Sequence, residues 1–154
     1  MLVRASSRLI ALPDLAATEA LAAALAELLR PGDAVMLEGP LGAGKTAFAR
    51  GFLRAATGDP ALEVPSPSYT LVQEYETRLG HVHHFDLWRL DGPGALEELG
   101  WDDARDGIVL VEWPDRLGPL RPRDALTLAL SPGATPDART ARLCWNDNRL
   151  AVLP

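Results

Sequence analysis

Apolar residues recur at helical spacing through DLAATEALAAALAELL, where Leu15, Leu21, Leu25, Leu28 and Leu29 predict a helix over 14–29. Asp14 is placed to cap its start, and Pro31-Gly32 stops it. The pattern then tightens into the continuous apolar run Ala34 to Leu37, which reads as a buried strand. Gly39 to Gly44 reads as a loop, and Lys45 to Ala56 as a second helix that ends near Gly58 and Pro60. Alternation replaces the helical period from Tyr69 to Tyr75 and again from His81 to Trp88, and the Thr77–Gly80 turn between them predicts a hairpin. Ala95 to Leu99 and Asp102 to Arg105 read as short helices around Gly100-Trp101. Ile108 to Val111 is a second buried strand, running into Glu112-Trp113-Pro114. Ala125 to Leu130 and Thr140 to Trp145 alternate and form a C-terminal antiparallel pair around the loop SPGATPDA. The sum is an α/β fold whose mixed sheet is parallel in its centre with antiparallel additions.

Composition narrows this. A length of 154 residues suits one domain, residues 1–154, able to bury roughly 70% of its unfolded surface. The net charge is −6, from 15 Lys and Arg against 21 Asp and Glu, which argues against a protein that grips nucleic acid alone through a basic face. The single cysteine, Cys144, excludes an internal disulfide and a multi-cysteine zinc site. With no leader-like apolar segment and no run of about 18 apolar residues, the expectation is a cytoplasmic protein without a membrane partner.

Charge also sharpens one position. Lys45 is the only lysine; every other basic side chain is arginine. A coding bias accounts for arginine wherever either residue serves, so a retained lysine marks a place where a planar guanidinium would not. Lys45 sits in GPLGAGKT, which fits G-x-x-x-x-G-K-[ST] between a strand and a helix. In that context Gly39, Gly42 and Gly44 let backbone N–H groups turn toward anionic oxygens, and the following helix aims its positive end at them. The residues Gly39, Pro40, Leu41, Gly42, Ala43, Gly44, Lys45, Thr46 and Ala47 would hold the phosphates of a nucleoside triphosphate, with Lys45 on the β- and γ-phosphates and the Thr46 hydroxyl on Mg²⁺. Chance produces this pattern in fewer than about one chain in a hundred of this length. The expected class is a P-loop NTPase fold with helices on both faces of the sheet.

A second acid should serve the magnesium. Asp86 follows HVHHF and Glu112 follows IVLV, both at strand ends; the apolar strand before it slightly favours Glu112, and a surface or capping carboxylate is the plain alternative for each. His81, His83, His84 and Asp86 crowd six positions, but strand alternation puts His81 and His83 on one face and His84 and Asp86 on the other, so they read as structural or hydrogen-bonding groups and not as a zinc site. Trp88, Trp101, Trp113 and Trp145 read as core or interface anchors, with Trp113 beside Glu112 also placed to line the site. Arg50 and Arg54 read as solvated surface, and so do Arg116, Arg121 and Arg123, for which a contact with a partner or tRNA is the functional alternative.

LEGPLGAGKT, SPSYTLVQEY, HHFDLWRL, EELGWDD and VLVEWPDRL occur in this order from about Leu12 to Arg123. Together they resemble the bacterial TsaE (YjeE) family of P-loop ATPases, needed to make threonylcarbamoyladenosine beside the anticodon of tRNAs that read A-starting codons. The resemblance implies catalytic roles for Lys45, Asp86 and Glu112, and metal roles for Thr46, Asp86 and Glu112. It implies a Walker B-type function for Asp86 and a switch-like segment at Ser66, Pro67, Ser68, Tyr69 and Thr70 that responds to the γ-phosphate. Thr18 matches the family's N-terminal threonine, without an assigned mechanism. Ser68 stands where the family commonly has Thr, Trp88 where it has Tyr, and Gly92-Pro93-Gly94 replaces a more acidic helical start.

The same resemblance implies ATP and Mg²⁺ as cofactors. It implies as partners the threonylcarbamoyl-transferring subunit TsaD and its inactive relative TsaB, with tRNA reached indirectly through the complex. No full hydrolytic set is visible: the sole glutamine, Gln73, is poorly placed, and no arginine is clearly a finger. The expectation is weak hydrolysis alone and stimulation by the partner pair. A small-molecule P-loop kinase is the first rival, its only candidate lid being Arg116 to Arg123. A GTPase lacks its N/T-K-x-D motif, and a nucleotide-gated adaptor that does not hydrolyse is the third.

Overall fold

The computed structural model describes residues 6–153. Its strands are β1 (Ser6–Leu12), β2 (Ala34–Glu38), β3 (Val72–Thr77), β4 (Gly80–Asp86), β5 (Ile108–Glu112), β6 (Leu126–Pro132) and β7 (Arg139–Trp145). Its α-helices are α1 (Leu15–Leu28), α2 (Lys45–Thr57) and the four-residue α3 (Trp101–Ala104). All seven strands form one sheet in the order β1-β7-β6-β2-β5-β4-β3. β6, β2, β5 and β4 run parallel, while the β1–β7, β6–β7 and β3–β4 pairs are antiparallel. The expected parallel centre with antiparallel additions is therefore present.

Helix α1 begins as its sequence dictates: the Asp14 carboxylate accepts the Ala17 N–H at 2.9 Å, satisfying one of the orphan donors of the first turn. Helices α1 and α2 pack side by side on one face of the sheet, closely enough that a Cβ at Gly51 would lie 3.2 Å from the Ala22 Cβ. Between them and the sheet lies the larger core, which includes Leu25, Phe48, Phe52, Leu53, Leu110 and Leu128. The opposite face carries a smaller core around Met36, Phe85, Trp101, Val109 and Val111. Its cover is α3 with two 3₁₀ segments, Pro93–Leu96 and Pro114–Leu120. No helix among the described residues is long and apolar enough to cross a membrane.

Several boundaries differ from the sequence expectation. Tyr69 and Thr70 belong to a turn closed by Leu71 N–H donating to the Pro67 carbonyl at 2.7 Å, so the strand starts at Val72. The expected helix from Ala95 is a 3₁₀ turn over Pro93–Leu96, where Pro93 takes one of the first helical positions. Strand β1 escapes the pattern altogether. Exposure alternates along it, but residue type does not follow: Leu9 is exposed while Arg8 turns partly inward and donates to the Leu150 and Leu153 carbonyls. Its strand form follows from full pairing with β7, Ser6 opposite Trp145 through Leu12 opposite Arg139.

The C-terminal 3₁₀ turn, Asn148–Val152, is tied back by Arg149, which donates to Asp33 at 2.7 and 3.0 Å, to Asp147 at 2.8 Å and to the Leu28 carbonyl at 2.9 Å. The hydrogen bond from Arg149 holds the Asp147 carboxyl below the usual carboxylate range. A depressed carboxyl contributes stability that is complete above its unfolded value, about 3.9, and is lost as pH falls below it. Arg149→Met should therefore melt below wild type at pH 7, and the gap should narrow at about pH 3. Melting curves at the two pH values check this, and an unchanged gap counts against it.

A candidate nucleotide and metal site

The site forms where the parallel strands end. The Gly39–Gly44 loop leaves β2, and Asp86 and Glu112 are opposite each other at the ends of β4 and β5. In a parallel α/β sheet this end of the strands, where strand ends meet helix starts, is where ligands bind. Gly39 has φ 145°, and a Cβ there would sit 2.6 Å from the Leu130 carbonyl oxygen of β6, so only glycine fits the start of the loop. Gly44 stands before α2 with φ 102° and has no side chain to cap the helix, which leaves the first N–H groups of α2 turned to the cavity. Behind the loop, Arg139 of β7 donates to the Gly42 carbonyl at 3.2 Å and to the Ala43 carbonyl at 3.1 Å. Those bonds tie the loop to β7, and the Ala43 N–H closes it from within by donating to the Pro40 carbonyl at 3.1 Å.

Lys45 is 5% exposed. Its Nζ donates to the Gly39 carbonyl at 2.6 Å and lies 3.3 Å from the centre of the Trp113 ring. Burial lowers its pKa from the ordinary lysine value, against the raising influence of Glu112, Asp86 and Asp115. Trp113 has φ 58°, and Leu71 has φ 69°; these are the two non-glycine residues in the left-handed region among the described residues. Both flank the site, where local strain of about 1–3 kcal/mol per residue is held by the surrounding contacts. The strained backbone at Trp113 turns its ring under the lysine, and Trp88 packs on that ring with centroids 4.4 Å apart.

The two acids are held differently. The Glu112 carboxylate, 3% exposed, accepts the Thr46 hydroxyl at 3.0 Å to each oxygen and contacts His84 Nε2 at 2.7 Å. Asp86 accepts the Ser66 hydroxyl at 2.9 Å, the Ser68 hydroxyl at 3.3 Å and the Trp88 N–H at 3.1 Å. The Asp86 N–H donates to Leu71, so the segment 66–71 is fastened to this acid at both ends.

One cavity of about 300 Å³ is lined by Leu41, Gly42, Gly44, Lys45, Thr46 and Ala47 of the loop and α2, by Ser66 and Ser68, and by Asp86, Trp88, Glu112 and Trp113. Of the remaining expected residues, Gly39 enters through its carbonyl, while Pro40 and Ala43 line an adjacent cleft with Arg139. Pro67 is buried, and Tyr69 and Thr70 are exposed and turned out of the cavity, Tyr69 lying against Arg89. Thr18 and Arg139 share a third cleft with Asp14, Gly44 and Ala47. A larger groove between α1 and α2 carries Arg50 and Arg54 but no opposing cluster of acids. Sequence reasoning missed Trp88 as a lining residue and Arg139 as a support, and it read His84 as a structural or hydrogen-bonding group without its partner Glu112. The i, i+2 alternation of His84 with Asp86 was the available signal for that contact.

The donor set fits a hard divalent cation. Thr46 Oγ1, the Asp86 carboxylate and the Glu112 carboxylate are all oxygen ligands on one cavity, and magnesium characteristically takes one or two carboxylates with substrate phosphates and water. Among the described residues, no group of three or more His, Cys, Asp or Glu could hold a metal unaided. On the hairpin, Glu74 contacts His81 at 2.7 Å and His83 at 3.6 Å, on the sheet face opposite His84.

Comparison with known proteins agrees with this fold. The tRNA threonylcarbamoyladenosine biosynthesis protein TsaE of Bacillus subtilis is 35% identical over 138 residues, 88% of this chain and 84% of the relative. The protein of the same name from Rickettsia felis is 40% identical over 99 residues, 64% of this chain but 57% of the relative, so the match spans little more than half that protein's length. The crystal structure of Bacillus subtilis YdiB superposes with a TM-score of 0.76 at 27% identity, covering 95% of this chain and 90% of that one. The model of the family described as threonylcarbamoyl adenosine biosynthesis protein TsaE matches residues 12–141, and with that span covering the loop, both acids and the segment between them, the chain belongs to the TsaE family.

Proposed function

We propose that this chain binds and hydrolyses ATP with Mg²⁺ as a subunit of the machinery that makes threonylcarbamoyladenosine in tRNA, acting with TsaD- and TsaB-type partners. The observation that supports this most is the convergence of Lys45, Thr46, Asp86 and Glu112 on one cavity beside the glycine loop. In this reading Lys45 leaves the Gly39 carbonyl and the Trp113 ring for the β- and γ-phosphates, and the loop amides and the start of α2 hold the remaining phosphate oxygens. Mg²⁺, when bound, would neutralise charge between the phosphate oxygens. Thr46 and the two acids would hold it, and the serines on Asp86 tie the segment 66–71 to one of those acids.

What the cavity lacks points to partner dependence. Among the described residues, Lys45 is the only basic side chain that lines it, and Gln73 is exposed on β3 and outside it. A missing arginine finger is worth roughly 10³–10⁵ in rate. The isolated chain should therefore turn over ATP slowly, and the TsaD- and TsaB-type pair should accelerate it and be retained with it more strongly when ATP is present. Pull-down with and without ATP, followed by phosphate release from the complex, tests this; fast turnover indifferent to the pair would reject it. The kinase rival loses support because its candidate lid is fastened: Arg116 donates to the Leu90 carbonyl at 3.2 Å, and Arg121 to Thr127 at 3.3 Å and Glu38 at 3.5 Å.

A further inference from the structure

His84 is completely buried, and among the described residues its ring has one polar contact, Nε2 to Glu112 Oε2 at 2.7 Å; Nδ1 is buried with no partner. A carboxylate only accepts, so Nε2 carries the hydrogen and donates. Burying a polar ring whose second nitrogen goes unbonded opposes folding, and a leucine would fill the same space without that penalty. The ring's place in the core is thus explained by the single bond it gives to Glu112.

The sheet register shows what that bond does. Asp86 lies opposite Glu112, and His84 lies two residues deeper on the same face of β4. His84 therefore reaches Glu112 from the core side, while Thr46 reaches it from α2. A glutamate side chain otherwise has freedom about three torsions; held from two sides, this one has a single arrangement. Asp86 differs, since its hydroxyl partners come from the exposed Ser66 and the half-buried Ser68 of the switch-like segment. One acid is fastened to the core and the other to a surface segment.

We propose that His84 is a positioning residue: its Nε2–H presets the Glu112 carboxylate, and through it the Thr46 hydroxyl, for the magnesium of a bound nucleotide. This rests on the nucleotide and metal reading above. Partners that orient a metal-binding carboxylate typically contribute about 10–100-fold in metal affinity or activity. The effect should fall on the metal and spare the phosphate cradle, because the polar contact of His84 is with Glu112 and the ring does not line the cavity.

The test is calorimetric titration with ATP, in EDTA and across a Mg²⁺ series, for wild type, His84→Leu and His84→Gln, with melting curves for each. His84→Leu should raise the Mg²⁺ concentration for half-maximal effect by about 10-fold or more, leaving ATP binding in EDTA within about twofold of wild type. His84→Gln, which keeps an N–H at a similar reach, should recover most of the difference. A Mg²⁺ requirement unchanged in His84→Leu overturns the proposal. Equal loss of binding with and without Mg²⁺ makes the residue structural and also overturns it, as does a failure of His84→Gln to recover. Wild-type protein that binds ATP with no Mg²⁺ dependence would remove the metal reading itself, and this inference with it.

Discussion

Lys45→Ala should lose ATP binding by on the order of 100-fold or more and hydrolysis with it, while the fold survives. A charge-assisted hydrogen bond contributes about 1.5–3 kcal/mol, and about 3 kcal/mol corresponds to roughly 100-fold in affinity. The lysine is well placed to deliver this, since it is buried beside the Gly39 carbonyl and needs only to swing within one cavity. Lys45→Arg is the sharper variant. It keeps the charge, but the planar fork must share the space between the Gly39 oxygen and a Trp113 ring 3.3 Å from Nζ. Arginine should therefore rescue little. Calorimetry on both variants with melting curves as control decides the matter: wild-type affinity in Lys45→Ala sinks the assignment, and full rescue by arginine would mean that charge alone suffices. The rescue experiment also tests why an otherwise lysine-free chain keeps this one.

Much of the centre of the molecule was legible in the sequence because its constraints are local. The apolar runs before Glu38 and Glu112 have to be buried strands, and glycine is obligatory where the loop passes the Leu130 carbonyl. The alternation that separates His83 from His84 was legible for the same reason, since strand geometry fixes it one residue at a time. The family motifs added the segment 66–70, although only its two serines reach the cavity.

The rest was hidden because it depends on partners distant in the chain. Strand β1 has no usable period and becomes a strand only through β7, more than a hundred residues away. Arg139 reads as an ordinary surface arginine until β7 brings it behind Gly42 and Ala43. Trp88 and Trp113 are separated by 24 intervening residues, and their contact at 4.4 Å exists because Trp113 adopts a backbone conformation that its residue type disfavours. Propensity predicts against such a residue; a site that needs its ring under Lys45 holds it there.

Asp86→Asn and Glu112→Gln should each reduce Mg²⁺-dependent hydrolysis by about 10²–10³, the usual loss when one preorganised electrostatic group is removed from a reacting phosphate or oxyanion. Both replacements keep shape and one acceptor oxygen: in Asp86→Asn that oxygen can keep the Trp88 N–H while the amide NH2 donates to a turned Ser66 hydroxyl, and in Glu112→Gln it can keep the Thr46 hydroxyl. A fall in turnover then reports charge and not collapse. The two should differ in kind. Glu112 is bonded to Thr46 and the core, so its loss should raise the Mg²⁺ concentration needed whatever the partner state. Asp86 is bonded to the segment that carries Ser66 and Ser68, so its loss should also blunt the response to the partner pair. ATP binding in EDTA serves as the control and should survive in both, since the loop and Lys45 are untouched. Turnover measured with and without the partners separates the roles. If only one variant falls, the other acid is a structural tether; if neither falls, the oxygen cluster does not serve a metal and the hydrolytic reading fails.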